Sequence, residues 1–256
     1  MEQGTQITRA DKKTRRALSS SRSAQRGSET GLAASPEMLP GDLLPRAHLD
    51  ESPEFVAPYL LGKLLVNRST TGILAGRIVE AEAYLGPHNH PPDPAAHTYR
   101  GPTPRNAVIF GPAGHAYVYS IYGRYFCMNV SCEAEGRAGC ILIRALEPIA
   151  GLTQMALNRG LAPGGAAGQL TSGPSRLCQA LGLTRQNHNG LDLLDPDSPL
   201  QLRDDGFRVS RVLVSPRIGI KHAVDWPLRF TLPGHSCVSG PKSWPKIGLK
   251  PFTSSS

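Results

Sequence analysis

HAYVYSIYGRYFCMNV, residues 115–130, gathers four of the chain's seven tyrosines into one short run. It is rich in β-formers and breaks at Gly123, which predicts two antiparallel strands joined by a turn near Tyr122, Gly123 and Arg124. Tyr122 then sits at the exposed tip. Successive strand residues alternate faces, so Tyr117, Tyr119 and Ile121 point one way and Ala116, Val118 and Ser120 the other. Phenol rings stack on flat ligands and hydrogen-bond at their rims, which suits a planar substrate. A slice of aromatic core has the same pattern, and the run alone does not separate the two.

On the N-terminal side of the hairpin, Ser52, Pro53 and Glu54 supply a cap, a proline for the first helical position and a first-turn acid. They predict a short helix from Pro53 to about Leu61, with Val56, Tyr59, Leu60 and Leu64 facing the core. From Lys63 the pattern becomes strand-like. In ILAGRIVEAEAYLG, Ile78, Glu80, Glu82 and Tyr84 share one parity, and two acids on one strand face are either solvated or functional. A Gly/Pro/His loop follows, then a short helix from Thr103–Pro104 through Phe110. Beyond the hairpin, GCILIRALEP reads as a buried strand carrying one charge, Arg144, with a helix from Pro148 to about Asn158. Ser172-Gly-Pro-Ser starts another helix that Gly182 ends. RVLVSPRIGI and PLRFTLP read as further strands. Without an internal repeat, this pattern describes a mixed α+β domain, not a βαβ array or a solenoid.

The 256 residues and 39% hydrophobic content suffice for one large domain with a real core. The formal charge of +8 favours a polyanionic partner. Residues 1–30 hold seven Lys/Arg against three Asp/Glu, so about half of that charge belongs to a Ser/Arg/Lys-rich segment expected to be disordered. Five cysteines form no CxxC pair and read as free thiols in a reducing compartment. No stretch approaches the roughly 20 apolar residues that span a bilayer, so an intracellular, soluble protein is expected.

Two constellations could carry chemistry. His88, His90, Asp93 and His97 are metal-ligand types at close spacing, yet three prolines and two alanines in that loop give no regular element to fix them. No metal and no cofactor is therefore expected. The second is Glu82 with Tyr84, His97, the tyrosine hairpin, Asn129 and Arg144. A carboxylate deprotonates water and stabilises cationic charge, which suits hydrolysis through a sugar oxocarbenium ion, and aromatic walls suit a nucleobase. There is no Ser-His-Asp order, Walker loop or GxGxxG fingerprint, which weighs against acyl transfer, NTP hydrolysis and dinucleotide redox chemistry.

Six blocks go further: GRIVEAEAYLGP, AAHTYRGPTPRN, YVYSIYGRYFCMNV, LIRALEPIAGL, GPSRLCQALGL and RIGIKHAVDWPLRF. In order, over roughly Leu43 to Val238, they closely resemble the alkyladenine (3-methyladenine) DNA glycosylase family. The resemblance implies a monofunctional base-excision enzyme acting on double-stranded DNA. It flips alkylated or deaminated purines out of the duplex and hydrolyses the N-glycosidic bond. It assigns Glu82 as the general base, Tyr84 and Tyr119 as stacking walls, and His97 as a donor to the base or its sugar-phosphate. Tyr122 fills the gap left in the duplex, Asn129 discriminates purines at the pocket floor, and Arg144 with the Ile218 carbonyl holds the water. The histidine-rich loop at 86–95 makes His90 the alternative donor. No lysine is expected at the catalytic positions, so water is the nucleophile and no strand cleavage follows.

With the resemblance, the expected fold is a single α+β domain over 43–240. It is a curved antiparallel sheet surrounded by short helices, with a protruding β-hairpin, a disordered basic tail over 1–42 and a loose end over 241–256. A monomer is expected, placed in the cytoplasm or nucleoid of a bacterium or in a eukaryotic nucleus. Two other classes compete: a metal-dependent phosphohydrolase built on the histidine loop, and a nonenzymatic damaged-DNA binder built on the hairpin.

Overall fold

The computed structural model describes Met1 and residues 39–251, so most of the basic N-terminal segment and the last five residues lie outside the description. Strand β1 (Asp42–Leu43) opens the fold just before the expected boundary. Helix α1 (Pro53–Leu60) follows, started by extended Ser52 and Pro53 as the sequence dictates. Its Val56, Tyr59 and Leu60 are buried. Strands β2 (Leu64–Ser69) and β3 (Gly72–Tyr84) form a hairpin, and β4 (Ala116–Ile121) and β5 (Tyr125–Cys132) form the tyrosine hairpin. Strand β6 (Gly139–Ala150) leads into helices α2 (Leu152–Asn158), α3 (Ala167–Thr171), α4 (Pro174–Ala180) and α5 (Arg185–His188). Strands β7 (Leu200–Asp204), β8 (Arg211–Ser215), β9 (Arg229–Thr231) and β10 (Gly248–Pro251) complete it.

Among the described residues, ten strands pair antiparallel in one sheet, with the order β1-β7-β2-β3-β6-β5-β4 and a branch in which β9 joins β3 to β8 and β10. Strand β3 is the axis. It pairs with β2 through Gly72–Arg77, with β9 through Glu80–Glu82, and with β6 along its other side. Its register with β6 shifts on either side of Glu80, leaving Val79 and Arg144 without a direct partner. Such bulges bend a strand and re-aim side chains, which curves the sheet where the acids lie. The bulge also corrects the parity expected for β3. Ile78 joins Val79 in the main core, while Glu80 and Glu82 face the other side with Arg144.

The main core packs α1, α3 and α4 against the sheet through fully buried Leu60, Leu65, Ile78, Ile141 and Leu177. Burying side chains of this size contributes about 1.5–3 kcal/mol each by removing apolar surface from water. A second, smaller cluster of Ile109, Tyr117, Ala138 and Cys140 lies on the opposite face, with Tyr84 and Tyr119 against it. Gly86, just after β3, has no room for a Cβ against the Ala138 carbonyl, so the loop that follows is pinned at its start.

Three expectations change. Strand β6 runs through Pro148, which pairs with Gly76, and the helix waits until Gly151 turns the chain at φ +76°. Thr103–Phe110 forms a hydrogen-bonded turn at Asn106 and a 3-10 helix only over Ala107–Phe110. The segment from Pro241, expected to be loose, adds β10 to the free edge of β8, and the Trp244 indole donates to the Pro216 carbonyl at 2.9 Å. Among the described residues, no helix is long and apolar enough to cross a membrane.

Candidate active site

The curved part of β3 carries two carboxylates into the interior. Glu80 and Glu82 both have no solvent exposure. Buried charges need partners, and Glu82 has three. The Ile218 backbone N–H donates to Oε1 at 2.7 Å, the Tyr84 hydroxyl donates to Oε2 at 3.0 Å, and Arg144 Nη1 lies 3.3 Å from Oε2. The same Arg144 nitrogen reaches the Ile218 carbonyl at 3.4 Å. Burial raises the Glu82 pKa, and the Arg144 charge with the two hydrogen bonds only partly offsets this. Burial pulls Arg144 downward, but the Glu82 and Glu80 carboxylates outweigh it and hold the guanidinium firmly charged.

A cavity of about 570 Å³ lies next to this group, lined by Tyr84 and Ile218, which bond Glu82, and by His97, Tyr119, Asn129, Cys127 and Cys140. Tyr84 is held from behind: the Arg217 guanidinium lies 4.5 Å from its ring centroid. Burial and the neighbouring Glu82 raise the Tyr84 pKa well above that of free tyrosine, so its hydroxyl keeps the proton it donates. The His97 ring meets Tyr119 edge-on at 4.7 Å, and its Nδ1 is 3.2 Å from the Tyr117 hydroxyl. Packing against these rings strips water from the imidazole and, with the Arg105 charge nearby, lowers its pKa, leaving it neutral at pH 7. Asn129 is buried, its Nδ2 faces Cys140 Sγ at 3.5 Å, and its Oδ1 has no partner among the described residues. An orphan acceptor at the bottom of a cavity is satisfied when a ligand donor reaches it.

Tyr122 stands at the mouth, 91% exposed, in a left-handed conformation with φ +50° next to Gly123 at φ +75°. An aromatic residue rarely adopts this backbone, and such strain concentrates at working sites. Tyr117 is fully buried and Tyr125 half-buried, so both pack.

Tyr84, His97, Tyr119, Tyr122, Asn129 and Ile218 thus line one cavity, and Glu82 and Arg144 lie behind that lining, joined to it through Tyr84 and Ile218. His90 lines a different cavity, beside Trp226 and Phe230. The possible metal ligands of the loop are divided among other partners. Asp93 is buried against Arg217 through both oxygens, and His88 pairs with Glu133.

Sequence reasoning missed several groups. Arg229 and Ser239 complete a buried network with Glu80, which parity had already set beside Glu82, and the lone arginine in the apolar PLRFTLP strand was their one signal. The Ile218 N–H donation to Glu82 has no sequence signal at all. Lys221 and His222 lie in the cavity lining, so a lysine is present there after all, and the expectation of a water nucleophile rests on Glu82 instead of on lysine being absent.

Residues 47–236 match the model of the family described as methylpurine-DNA glycosylase (MPG). The chain is 53% identical over 197 residues to a protein of Koribacter versatilis named for 3-methyladenine DNA glycosylase activity, covering 77% of this chain and 93% of that one. Similarly named proteins of Burkholderia lata and Methanoculleus marisnigri share 46% identity over 203 residues and 47% over 200, covering 79% and 77% of this chain and 93% and 98% of theirs. The chain belongs to the methylpurine-DNA glycosylase family and is a DNA glycosylase, a hydrolase of N-glycosyl bonds in base excision repair.

Proposed function

We propose that this glycosylase extrudes an alkylated or deaminated purine from duplex DNA into the aromatic cavity. It then hydrolyses the N-glycosidic bond with a water activated by Glu82. The substrates in view are of the 3-methyladenine, 7-methylguanine, hypoxanthine and ethenoadenine class. The observation that carries the reading is the buried Glu82 carboxylate directly behind the wall of a tyrosine-lined cavity, bonded to its lining residues Tyr84 and Ile218, with Arg144 and the Ile218 carbonyl beside it. One acceptor carboxylate, one guanidinium donor and one carbonyl acceptor are what a single attacking water needs to be held and deprotonated.

Extrusion costs a few kcal/mol, least for a damaged or mispaired base, so selection begins before chemistry. Tyr122, exposed and preset by its backbone, fills the vacated step from the minor groove. Tyr84 and Tyr119 take the base between them, and a cationic N-alkylpurine gains from their electron-rich faces. Such bases leave readily, so the work of the protein is to hold the water and to stabilise the oxocarbenium ion with the Glu82 charge. Neutral lesions depend more on the polar rim formed by His97 and Asn129. Lys221 and His222 at the mouth face the phosphates, which requires binding to weaken with salt. The protein works as a monomer, without a metal or cofactor, through the single sheet domain that β1 opens and β10 closes.

Two experiments test this. Incubation with oligonucleotide duplexes, each bearing one of the four lesions, is expected to release free base from at least one and to leave the strand intact; release from none would sink the reading. Borohydride added during turnover is expected to trap no protein–DNA adduct. A trapped adduct that Lys221→Ala abolishes would assign the attack to that lysine.

Tyr122→Gly separates probing from folding. Glycine suits the positive φ, so stability is expected to be unchanged or raised, by up to about 1 kcal/mol of relieved strain, read as an unchanged or higher melting temperature. Excision from duplex is expected to fall more than excision from a single strand, in which no gap needs filling. Equal loss on both would assign Tyr122 to the base pocket instead.

A further inference from the structure

Glu80 is the acid that the proposed reaction does not use, yet it is fully buried and as heavily bonded as Glu82. It accepts from Arg144 Nε at 2.8 Å, from Arg229 Nε at 2.7 Å and from the Ser239 backbone N–H at 2.6 Å. Arg229 in turn is anchored by the Ser215 hydroxyl at 2.8 Å and the Ser239 carbonyl at 3.0 Å. Two carboxylates and two guanidiniums therefore share one buried site. Within it, the closest carboxylate contact of Arg144 goes to Glu80, and Glu82 receives a longer one of 3.3 Å.

We propose that Glu80 is a positioning residue for the glycosylase reaction: it draws Arg144 toward itself and Arg229, and so keeps the guanidinium from closing onto Glu82. The inference rests on Glu82 acting as the base. A carboxylate in a tight, undivided ion pair is a poor proton acceptor, because the pairing favours its charged form. With Glu80 present, Arg144 stays close enough to help hold a water and far enough to leave the Glu82 oxygens reactive. The register shifts on either side of Glu80, which leave Arg144 without a direct strand partner, are the backbone device that sets this triangle. Electrostatics act in the same direction. Burial first raises the Glu82 pKa, the Arg144 charge lowers it, and the Glu80 charge raises it again. The other groups that face the pair are Arg229 from β9, Tyr84 from β3 itself, Cys127 from β5, and Arg217 against the Tyr84 ring. None of them supplies a second negative charge in place of Glu80.

The test is the pH dependence of single-turnover excision of a cationic purine lesion, whose departure needs no proton from the protein. Glu80→Gln keeps the size of the side chain and removes its charge. The acid limb is expected to move down by on the order of one pH unit, because Glu82 loses a like-charged neighbour and gains an undivided Arg144. The plateau rate is expected to fall roughly tenfold as the base weakens and the water loses its place. Arg229→Gln carries the opposite sign. Glu80 loses its second cation, presses harder on Glu82, and the limb moves up. A plateau that drops with both limbs unmoved overturns the proposal, since a merely structural role lowers the rate without retuning the base. If Glu80→Gln does not fold, the direction of the Arg229→Gln shift decides. If neither folds, the quartet is a folding requirement and the positioning role is overturned. Glu82→Gln, assayed alongside, separates the two possible failures. Full activity in it sinks the base itself, whereas an inactive Glu82→Gln with an unmoved limb in Glu80→Gln sinks only the role of Glu80.

Discussion

Glu82→Gln is expected to bind lesion-containing duplex as the wild type does and to excise about 10²–10⁴-fold more slowly under single-turnover conditions. Glutamine keeps the shape and an oxygen for the Ile218 N–H but cannot take a proton from water. Its stability is expected to move the other way. Burial sets the folded pKa of Glu82 above the ordinary carboxylate value. A carboxyl whose folded pKa is raised favours folding in its protonated form, so its ionised form destabilises the fold progressively as pH rises above the unfolded pKa. Glutamine removes that cost, and Arg144 retains Glu80 as a partner at 2.8 Å. The melting temperature of Glu82→Gln at neutral pH is therefore expected to equal or exceed that of the wild type, with the gap closing as pH falls toward 4. A variant that is inactive because it is unfolded would show the reverse.

The second large effect is on stability. Asp93 and Arg217 are both fully buried and joined through both carboxylate oxygens, with Nη2 to Oδ1 at 2.9 Å. Asp93 also accepts the Leu85 and Ala95 backbone N–H groups, which ties the loop after β3 to the segment that carries Ile218. Asp93→Ala leaves a buried guanidinium without its counter-charge and is expected to cost about 3–5 kcal/mol. For a domain of this size that lowers the melting temperature by on the order of 10 °C, measurable by calorimetry. Arg217→Met in the Asp93→Ala background removes the orphaned charge and is expected to restore part of the loss. It should not restore activity, because Arg217 also backs the Tyr84 ring and donates to the Ala83 carbonyl at 3.0 Å. A loss below 1 kcal/mol in Asp93→Ala would mean that the pair is not what ties the loop to the Ile218 segment.

The sequence made the local geometry legible wherever a local rule decides it. Alternation and Gly123 gave the tyrosine hairpin, and Ser52-Pro53-Glu54 gave helix α1, because both depend on neighbours in the chain. Long-range pairing decided the rest. Pro148 reads as a helix start, but β3 offers it a strand partner at Gly76. Gly248–Pro251 reads as loose, yet the open edge of β8 pairs with it. In the site, the resemblance named side chains by their place in each block. The cavity brings most of those side chains together, including His97 on a loop too rich in proline for any periodicity to place, with Glu82 and Arg144 just behind its lining. Parity put Glu80 beside Glu82, but parity is silent on burial, and Arg229 lies about 150 positions away in the chain. A four-charge buried network of that kind becomes visible only when β3, β6 and β9 are assembled.

The most direct measurement is the single-turnover rate of free-base release from an N7-alkylguanine duplex as a function of pH. The expected profile falls on the acid side through a single limb that lies above the ordinary glutamate range, and that limb vanishes with the activity in Glu82→Gln. A wild-type rate in Glu82→Gln, or a wild-type profile flat from pH 8 to pH 4, would contradict the assignment of Glu82 as the base.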